Sequence, residues 1–437
     1  MRPFLRIIVL LSAIAAFSPA ALASPGEILY RYQHHLFTLR PSQYPAWRVE
    51  REVWFYHGKR VEVPAEFRVD GDDIPPVPPG FVRTTEVAWN RDAIRAVIQE
   101  KIAQVLDRPA GAVTISRTAS GMVVFDGVGM LGRKVDVDQA TLLTVAALTD
   151  EVADITLPVE EIQPQITVTD PTLREQGIRE VVSVGESDFT GSHLARKHNI
   201  GVGLKRFDGF LLPQGDTFSF DTTLGPVNQK TGYLKELVIL GDKTLPDYGG
   251  GLCQVSTTAY RGVWEYGFPI VQRRNHSFAV RYYGPQGTDA TVYPPHVDMK
   301  FLNDSPGALL IQTYTEGTRA YFIYYGTRDA RTSEIVGPYT WDHQAPPPDR
   351  VEYTTDIPEG TTRRAGERVP GMKAMWYRIL AREGGEEEVE QVYSVYEARP
   401  QFDQFGISPL ALPAGGGSSS SQAAQSSARS SQASRQR

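Results

Sequence analysis

The chain has 437 residues, 41% of them hydrophobic, and a formal net charge of -6 with no long basic block, so nucleic-acid binding is disfavoured. Such a length suits roughly two to four domains. A single cysteine, Cys253, excludes an intramolecular disulfide and leaves stability to packed cores.

Arg2 and Arg6 precede the apolar run Ile7 to Phe17, which is short for a bilayer span, and Ala21-Leu22-Ala23 offers small residues where a signal peptidase reads. Residues 1–23 are therefore expected to be a signal peptide cleaved before Ser24, with export to the cell envelope or the medium. If the segment is left uncleaved, it holds the protein near a membrane. Residues 24–85 read as β-rich. Glu52-Val53-Trp54-Phe55-Tyr56 and Val61-Glu62-Val63 form a hairpin pattern about His57-Gly58, and Pro75-Pro76-Val77-Pro78-Pro79-Gly80 is a stiff linker.

Residues 86–170 change period. Ile94, Val97, Ile98, Ile102, Val105 and Leu106 recur at helical spacing after Asn90, a good cap. Ala112–Ile115 and Met122–Phe125 read as strands, Asp136 caps a second helix, and Ile155–Val159 returns to strand. This stretch resembles the peptidoglycan-binding-like α+β domain found ahead of some cell-wall enzymes, through Gly132-Arg133-Lys134-Val135-Asp136 and the strand Ile155–Val159. A spacer without a ligand is the alternative.

Residues 181–330 carry the chemistry. A helix is expected over Asn199–Phe207, and a turn then a strand over Gly215–Phe220. A further helix begins at Cys253 after Gly249-Gly250-Gly251 and ends at Gly267. Phe278–Tyr283 and Ala290–Tyr293 read as strands. Glycines permit a sharp turn and close approach of a substrate, and a helix start favours thiolate over thiol. His276 follows 23 residues later and Asp289 follows after a Gly-containing turn. Cysteine, histidine, then an acidic or amide residue is also the order in papain-like and transglutaminase-like enzymes.

In that arrangement Cys253 attacks a carbonyl, His276 is base and then acid, and Asp289 fixes the imidazole tautomer. The N–H groups of Cys253 and Gln254 are candidates to hold an oxyanion. Gly250, Gly251, Gln254, Ser256, Thr257 and Arg274 are candidate binding residues. Each has a plainer reading: a buried thiol, a strand-end histidine with Arg273 and Arg274 making an anion site, a turn-capping aspartate, hydroxyls that start a helix. Asp298 is an alternative third member. A zinc reading from Cys253, His276, Asp289, His296 and Asp298 lacks any usual short ligand spacing, so no metal and no cofactor are expected.

The same region resembles the VanW family, through Phe218-Ser219-Phe220, Gly225-Pro226, Gly232-Tyr233, Gly249–Thr258, Arg273-Arg274-Asn275-His276-Ser277, Gly287-Thr288-Asp289-Ala290 and Asp298–Asn303. The expected fold is multidomain α+β, with a Cys-headed helix packed on a sheet. Residues 339–400 read as a small β-rich module with a hairpin about Gly384-Gly385. It resembles the small glycine-containing cell-wall module often appended to VanW domains. Residues 414–437, rich in Gly, Ser and Gln, read as a disordered tail. Together these imply an exported bacterial envelope protein whose partner is peptidoglycan or other envelope material. The leading expectation is cysteine-dependent acyl transfer or amide cleavage on peptidoglycan peptides. Non-catalytic envelope binding or assembly is its rival.

Overall fold

The computed structural model describes residues 25–62, 77, 79–240 and 243–408. The expected signal peptide, half of the proline linker and the expected disordered tail lie outside them. Over the described residues the chain is α+β. The described residues divide into two compact units, one within the bounds Met1–Arg31, Phe37–Val105 and Val135–Pro158, the other within Tyr32–Leu36, Leu106–Lys134 and Val159–Arg437.

The first unit holds the long antiparallel pair Arg48–Tyr56 and Phe81–Trp89 and the packed helices Arg91–Ile98 and Val137–Asp150. Both helices start at a side-chain cap. Asn90 accepts from the Ala93 amide at 3.3 Å and Asp136 from the Gln139 amide at 2.9 Å, each satisfying an otherwise orphaned donor.

In the second unit the elements that build the site are, in chain order, β1 (Glu180–Asp188), α1 (Leu194–Lys205), β2 (Lys235–Leu240), β3 (Lys243–Tyr248), α2 (Leu252–Tyr266), β4 (Leu309–Glu316), β5 (Arg319–Gly326), β6 (Thr332–Gln344), β7 (Gly371–Ala381) and β8 (Glu388–Tyr396). β5 pairs antiparallel with β1 on one side and β4 on the other, and the short strand Leu211–Leu212 extends the sheet beyond β4. Successive side chains of a strand face opposite ways. Ala320, Phe322 and Tyr324 of β5 enter one apolar cluster, with Val255, Val263 and Trp264 of α2, while Tyr321, Ile323 and Tyr325 enter another behind the sheet. Burial on both faces explains why β5 reads as an unbroken apolar run.

α2 lies against β1, and two glycines let the backbones touch. A Cβ on Gly185 would sit 2.0 Å from the Thr258 carbonyl oxygen, and one on Gly262 would sit 2.6 Å from the Gly185 nitrogen. The helix begins after Gly251 (φ 119°) and ends at Gly267 (φ 106°), both in backbone regions that favour glycine. It is buried nearly all round, because β6 and β7 cover the side away from the sheet. Trp376 of β7 meets Trp264 edge-on at 5.9 Å. The fully buried Arg378 donates to the carbonyls of Trp264 (2.7 Å) and Phe268 (3.0 Å), placing a cation at the negative end of the helix.

The hairpin expected about Gly384-Gly385 forms as β7 and β8, with Met372 opposite Tyr396 and Leu380 opposite Glu388. Two expected strands do not form. Phe278–Val280 is irregular and Arg281–Tyr283 is a short 3-10 turn, while Ala290–Tyr293 makes no ladder. Their apolar residues are buried, but their backbone groups find partners other than strands. The Ala290 amide donates to the Thr257 hydroxyl at 3.1 Å, and the Thr291 amide to the Arg274 carbonyl at 2.8 Å. Pro285, Pro294 and Pro295 further deprive this stretch of ladder donors.

Candidate functional site

The turn ahead of α2 is shaped by close contact. A Cβ on Gly250 would meet the Leu237 carbonyl oxygen at 2.7 Å, and Gly249 and Gly251 both have positive φ. Asn199, on α1 and wholly buried, ties this turn down. Its amide nitrogen donates to the carbonyls of Leu234 (2.9 Å) and Gly250 (3.0 Å), and its oxygen accepts from the Leu234 amide (2.8 Å). Three hydrogen bonds on one buried side chain make its loss costly, because several backbone groups are orphaned at once.

Cys253 follows as the second residue of α2 and is half-buried. Its Sγ is 3.5 Å from the Thr291 hydroxyl and 3.6 Å from the Val292 carbonyl oxygen. His276 is 2% exposed and its ring stacks on Tyr283 with centroids 4.4 Å apart. The His276 amide and ring Nδ1 both donate to one oxygen of Asp289, Oδ2, at 2.7 and 2.6 Å. A carboxylate on Nδ1 keeps a proton there and leaves Nε2 for chemistry. Nε2 is buried with no hydrogen-bond partner of ordinary geometry, yet the thiol lies near enough that each group shifts the other.

Those shifts have opposing causes. Burial pushes the Cys253 thiol up, but the nearby His276 and its charge, helped by Val292 and Thr291, bring it down to about 7. Burial pushes the His276 imidazolium down, but Asp289 and then Cys253 hold it up at about 9. Asp289, 1% exposed, is held well below the usual carboxylate range: burial opposes ionisation, while His276 and Arg273 overcome it. Near neutral pH the arrangement therefore favours a thiolate beside an imidazolium.

The other Asp289 oxygen, Oδ1, accepts from the Tyr396 hydroxyl in a short bond and from Arg273 Nη2 at 3.3 Å. Arg273 also donates to the carbonyls of Asp289 (2.7 Å) and Gly287 (2.9 Å). Thus Cys253, His276 and Asp289 come together, joined by Thr291, Tyr283, Arg273 and Tyr396, which sequence reasoning did not single out for this role. Arg273 was legible only as a neighbour of His276, and Tyr396 had no local signal.

The candidate binding residues are placed differently. Gly250 and Gly251 form the turn. Gln254 is fully buried; its side chain accepts from Arg196 at 3.0 Å and donates to the Asp188 carbonyl at 3.4 Å. Its amide is already bonded to the Gly251 carbonyl at 2.9 Å, whereas the Cys253 amide has no acceptor among the described residues. Only the Cys253 amide of that pair is therefore open to an oxyanion. Ser256 is buried with its hydroxyl unpartnered, and Thr257 is bonded to the backbone of Ala290. The Arg274 side chain is exposed. Asp298 stands elsewhere, accepting from Ser219 (2.6 Å) and the amides of Asp221 (2.9 Å) and Met299 (2.8 Å).

Among the described residues the titratable group close enough to grip a metal is His34, His35 and Glu186. Glu186 already accepts from Arg108 at 2.6 Å and Arg133 at 3.0 Å, and two guanidiniums oppose a cation there. None of the zinc-type residues considered from the sequence belongs to that group.

Residues 195–325 match the family model described as VanW like protein. Uncharacterized protein YoaR of Bacillus subtilis (strain 168) is 33% identical over 139 residues, 32% of this chain and 46% of that protein. Vancomycin B-type resistance protein VanW of Enterococcus faecalis (strain ATCC 700802 / V583) is 29% identical over 112 residues, 24% of this chain and 40% of that protein. The chain spans less than half the length of these curated relatives. Cys253, His276 and Asp289 all fall inside the matched stretch, so the chain carries a VanW-like domain over residues 195–325, similar to these two proteins.

Proposed function

We propose that this is an exported envelope protein in which Cys253 is the nucleophile of an acyl-transfer or amide-cleaving reaction on peptidoglycan peptides. The observation that carries the reading is a half-buried thiol over a buried His–Asp pair whose free ring nitrogen is coupled to it. The Cys253 thiolate adds to a carbonyl carbon, and the oxyanion meets the Cys253 amide. Collapse breaks the C–N bond, and the leaving amine takes a proton from His276 Nε2. Water or a second amine then attacks the thioester and gives its proton to Nε2, releasing acid or new amide and restoring the thiolate. General acid–base help of this kind is worth about 10²–10⁴-fold. The envelope setting is supported by the charged and apolar start of the chain, and by a relative named as a vancomycin B-type resistance protein.

The test is the rate of iodoacetamide alkylation of the folded protein against pH, alongside incubation with purified peptidoglycan followed by mass analysis of released peptides. Alkylation should rise through a midpoint near 7, and His276→Ala should move that midpoint upward, since burial is then opposed only by Val292 and Thr291. Cys253→Ser should abolish any change in the peptides. A thiol that reacts only after denaturation would sink the catalytic reading and leave envelope binding in its place.

A further inference from the structure

β8 lies beyond the stretch that the family model matches, yet it closes over the His276–Asp289 pair. Side chains of a strand alternate, and β8 turns Ser394 and Tyr396 inward and Tyr393 and Val395 outward: Tyr396 is 2% exposed, Tyr393 48%. The inward pair reaches the site. Ser394 accepts from Arg273 Nη1 at 2.9 Å, and Tyr396 donates to Asp289. Backbone groups add to this. The Val395 carbonyl accepts from Asn275 at 2.8 Å, and the Glu397 amide donates to the Ser277 carbonyl at 2.7 Å. From β7, the Trp376 indole donates to the Gln286 carbonyl at 2.7 Å.

We propose that Tyr396 is a positioning residue for Asp289, and that the hairpin β7–β8 is thereby part of the candidate active site. Asp289 serves His276 with one oxygen only. A carboxylate free to rotate would divide its oxygens between His276 and Arg273, so Oδ1 has to be pinned. Arg273 is a poor pin at 3.3 Å, because its nitrogens are also spent on the carbonyls of Asp289 and Gly287 and on Ser394. Tyr396 is the better one, and its proton has a fixed direction. The Gly287 amide donates to the phenol oxygen at 2.7 Å, which leaves the hydroxyl hydrogen to Asp289. Burial and the charge of Asp289 both push the phenol's pKa up, so it remains a donor. The catalytic consequence rests on the reading of Cys253 as nucleophile; the positioning itself does not.

The experiment follows the His276 imidazole by NMR titration in the full chain, for wild type, Tyr396→Phe and, as control, Tyr393→Phe. The other titratable groups on the ring are Cys253, Asp289 and Tyr283. With the hydroxyl gone the carboxylate turns toward Arg273 and its hold on Nδ1 loosens. The His276 midpoint should fall by about one pH unit, a tenfold change in proton affinity. Cys253 alkylation below pH 7 should slow by a comparable factor, and Tyr393→Phe should leave both unchanged. An unmoved or raised His276 midpoint in Tyr396→Phe overturns the proposal. A lowered midpoint with an inert wild-type thiol keeps it and removes the nucleophile reading; a reactive thiol indifferent to Tyr396→Phe does the reverse. If Tyr396→Phe does not fold, the wild-type Tyr396 hydroxyl proton decides: held on the Asp289 carboxylate it should give a downfield-shifted, slowly exchanging NMR signal, and a hydroxyl that exchanges at the solvent rate overturns the proposal.

Discussion

Asp289 is where the charges of the site are balanced. It is buried, and it faces both an imidazole and a guanidinium. Its pKa is depressed in the folded chain from an ordinary value of 3.8. A depressed carboxylate contributes stability that is present above its unfolded pKa and lost as pH falls through the folded one. The protein should therefore lose stability progressively below about pH 4. Asp289→Asn removes that dependence and leaves His276 and Arg273 without their counter-charge. Breaking a buried pair by removing one partner costs about 3–5 kcal/mol. Urea unfolding of both proteins at pH 7 and pH 3 checks this. The gap between wild type and variant should be wide at pH 7 and narrower at pH 3, and a gap that stays constant would mean the carboxylate contributes by shape alone.

At the scale of elements, α2 and β1 approach so closely that neither has room for a methyl group at their crossing. A Cβ at Gly262 meets the Gly185 backbone at 2.6 Å, and backbone cannot step aside as a side chain can. Gly262→Ala should therefore destabilise by about 1–3 kcal/mol or more, although alanine is the better helix former. Gly201, inside α1, has nothing within 4 Å of its Cβ position. There the same change should stabilise by about 0.5–1 kcal/mol through helix propensity alone. Thermal melts of the two variants should move in opposite directions; a shift of the same sign in both would refute the contact argument. The contrast also marks how legible the elements were. The glycines around Cys253 and the end of α2 at Gly267 announced themselves as turn and stop, but Gly185 and Gly262 sit inside a strand and a helix, where only the packed structure gives them a reason. The loop after α2 misled for a related cause. Phe278, Tyr283, Ala290 and Val292 are apolar and buried like strand residues, but Thr257 and the Arg274 backbone supply the hydrogen bonds that a neighbouring strand would.

For the whole molecule, the sequence pattern placed the thiol, the imidazole and the carboxylate in order within one stretch, and it left out what holds them. Tyr396 reaches Asp289 across 107 residues, and nothing in its neighbourhood separates it from Tyr393 except strand parity. Asn199 and Arg378 read as ordinary surface types, yet both are fully buried in the second unit. This bears on what can fold alone. A fragment confined to residues 195–325, the stretch the family model matches, omits β1, β6, β7 and β8. β5 would lose its antiparallel partner from Glu180 to Asp188, and Arg261 its bond to the Glu186 carbonyl at 3.3 Å. Trp264 would lose Trp376, and the end of α2 would lose Arg378. A buried aromatic side chain covers about 150–250 Å², or roughly 4–6 kcal/mol at about 25 cal/mol per Å². Re-exposing even part of Trp264 is thus a large share of the roughly 5–15 kcal/mol that holds an ordinary domain together. The fragment 195–325 should show no cooperative thermal transition, while the full chain should show one, followed by tryptophan fluorescence and by loss of the lowered Cys253 alkylation midpoint. A fragment that melts cooperatively with its thiol still shifted would mean that the matched stretch is self-sufficient and that the C-terminal hairpin only leans on it.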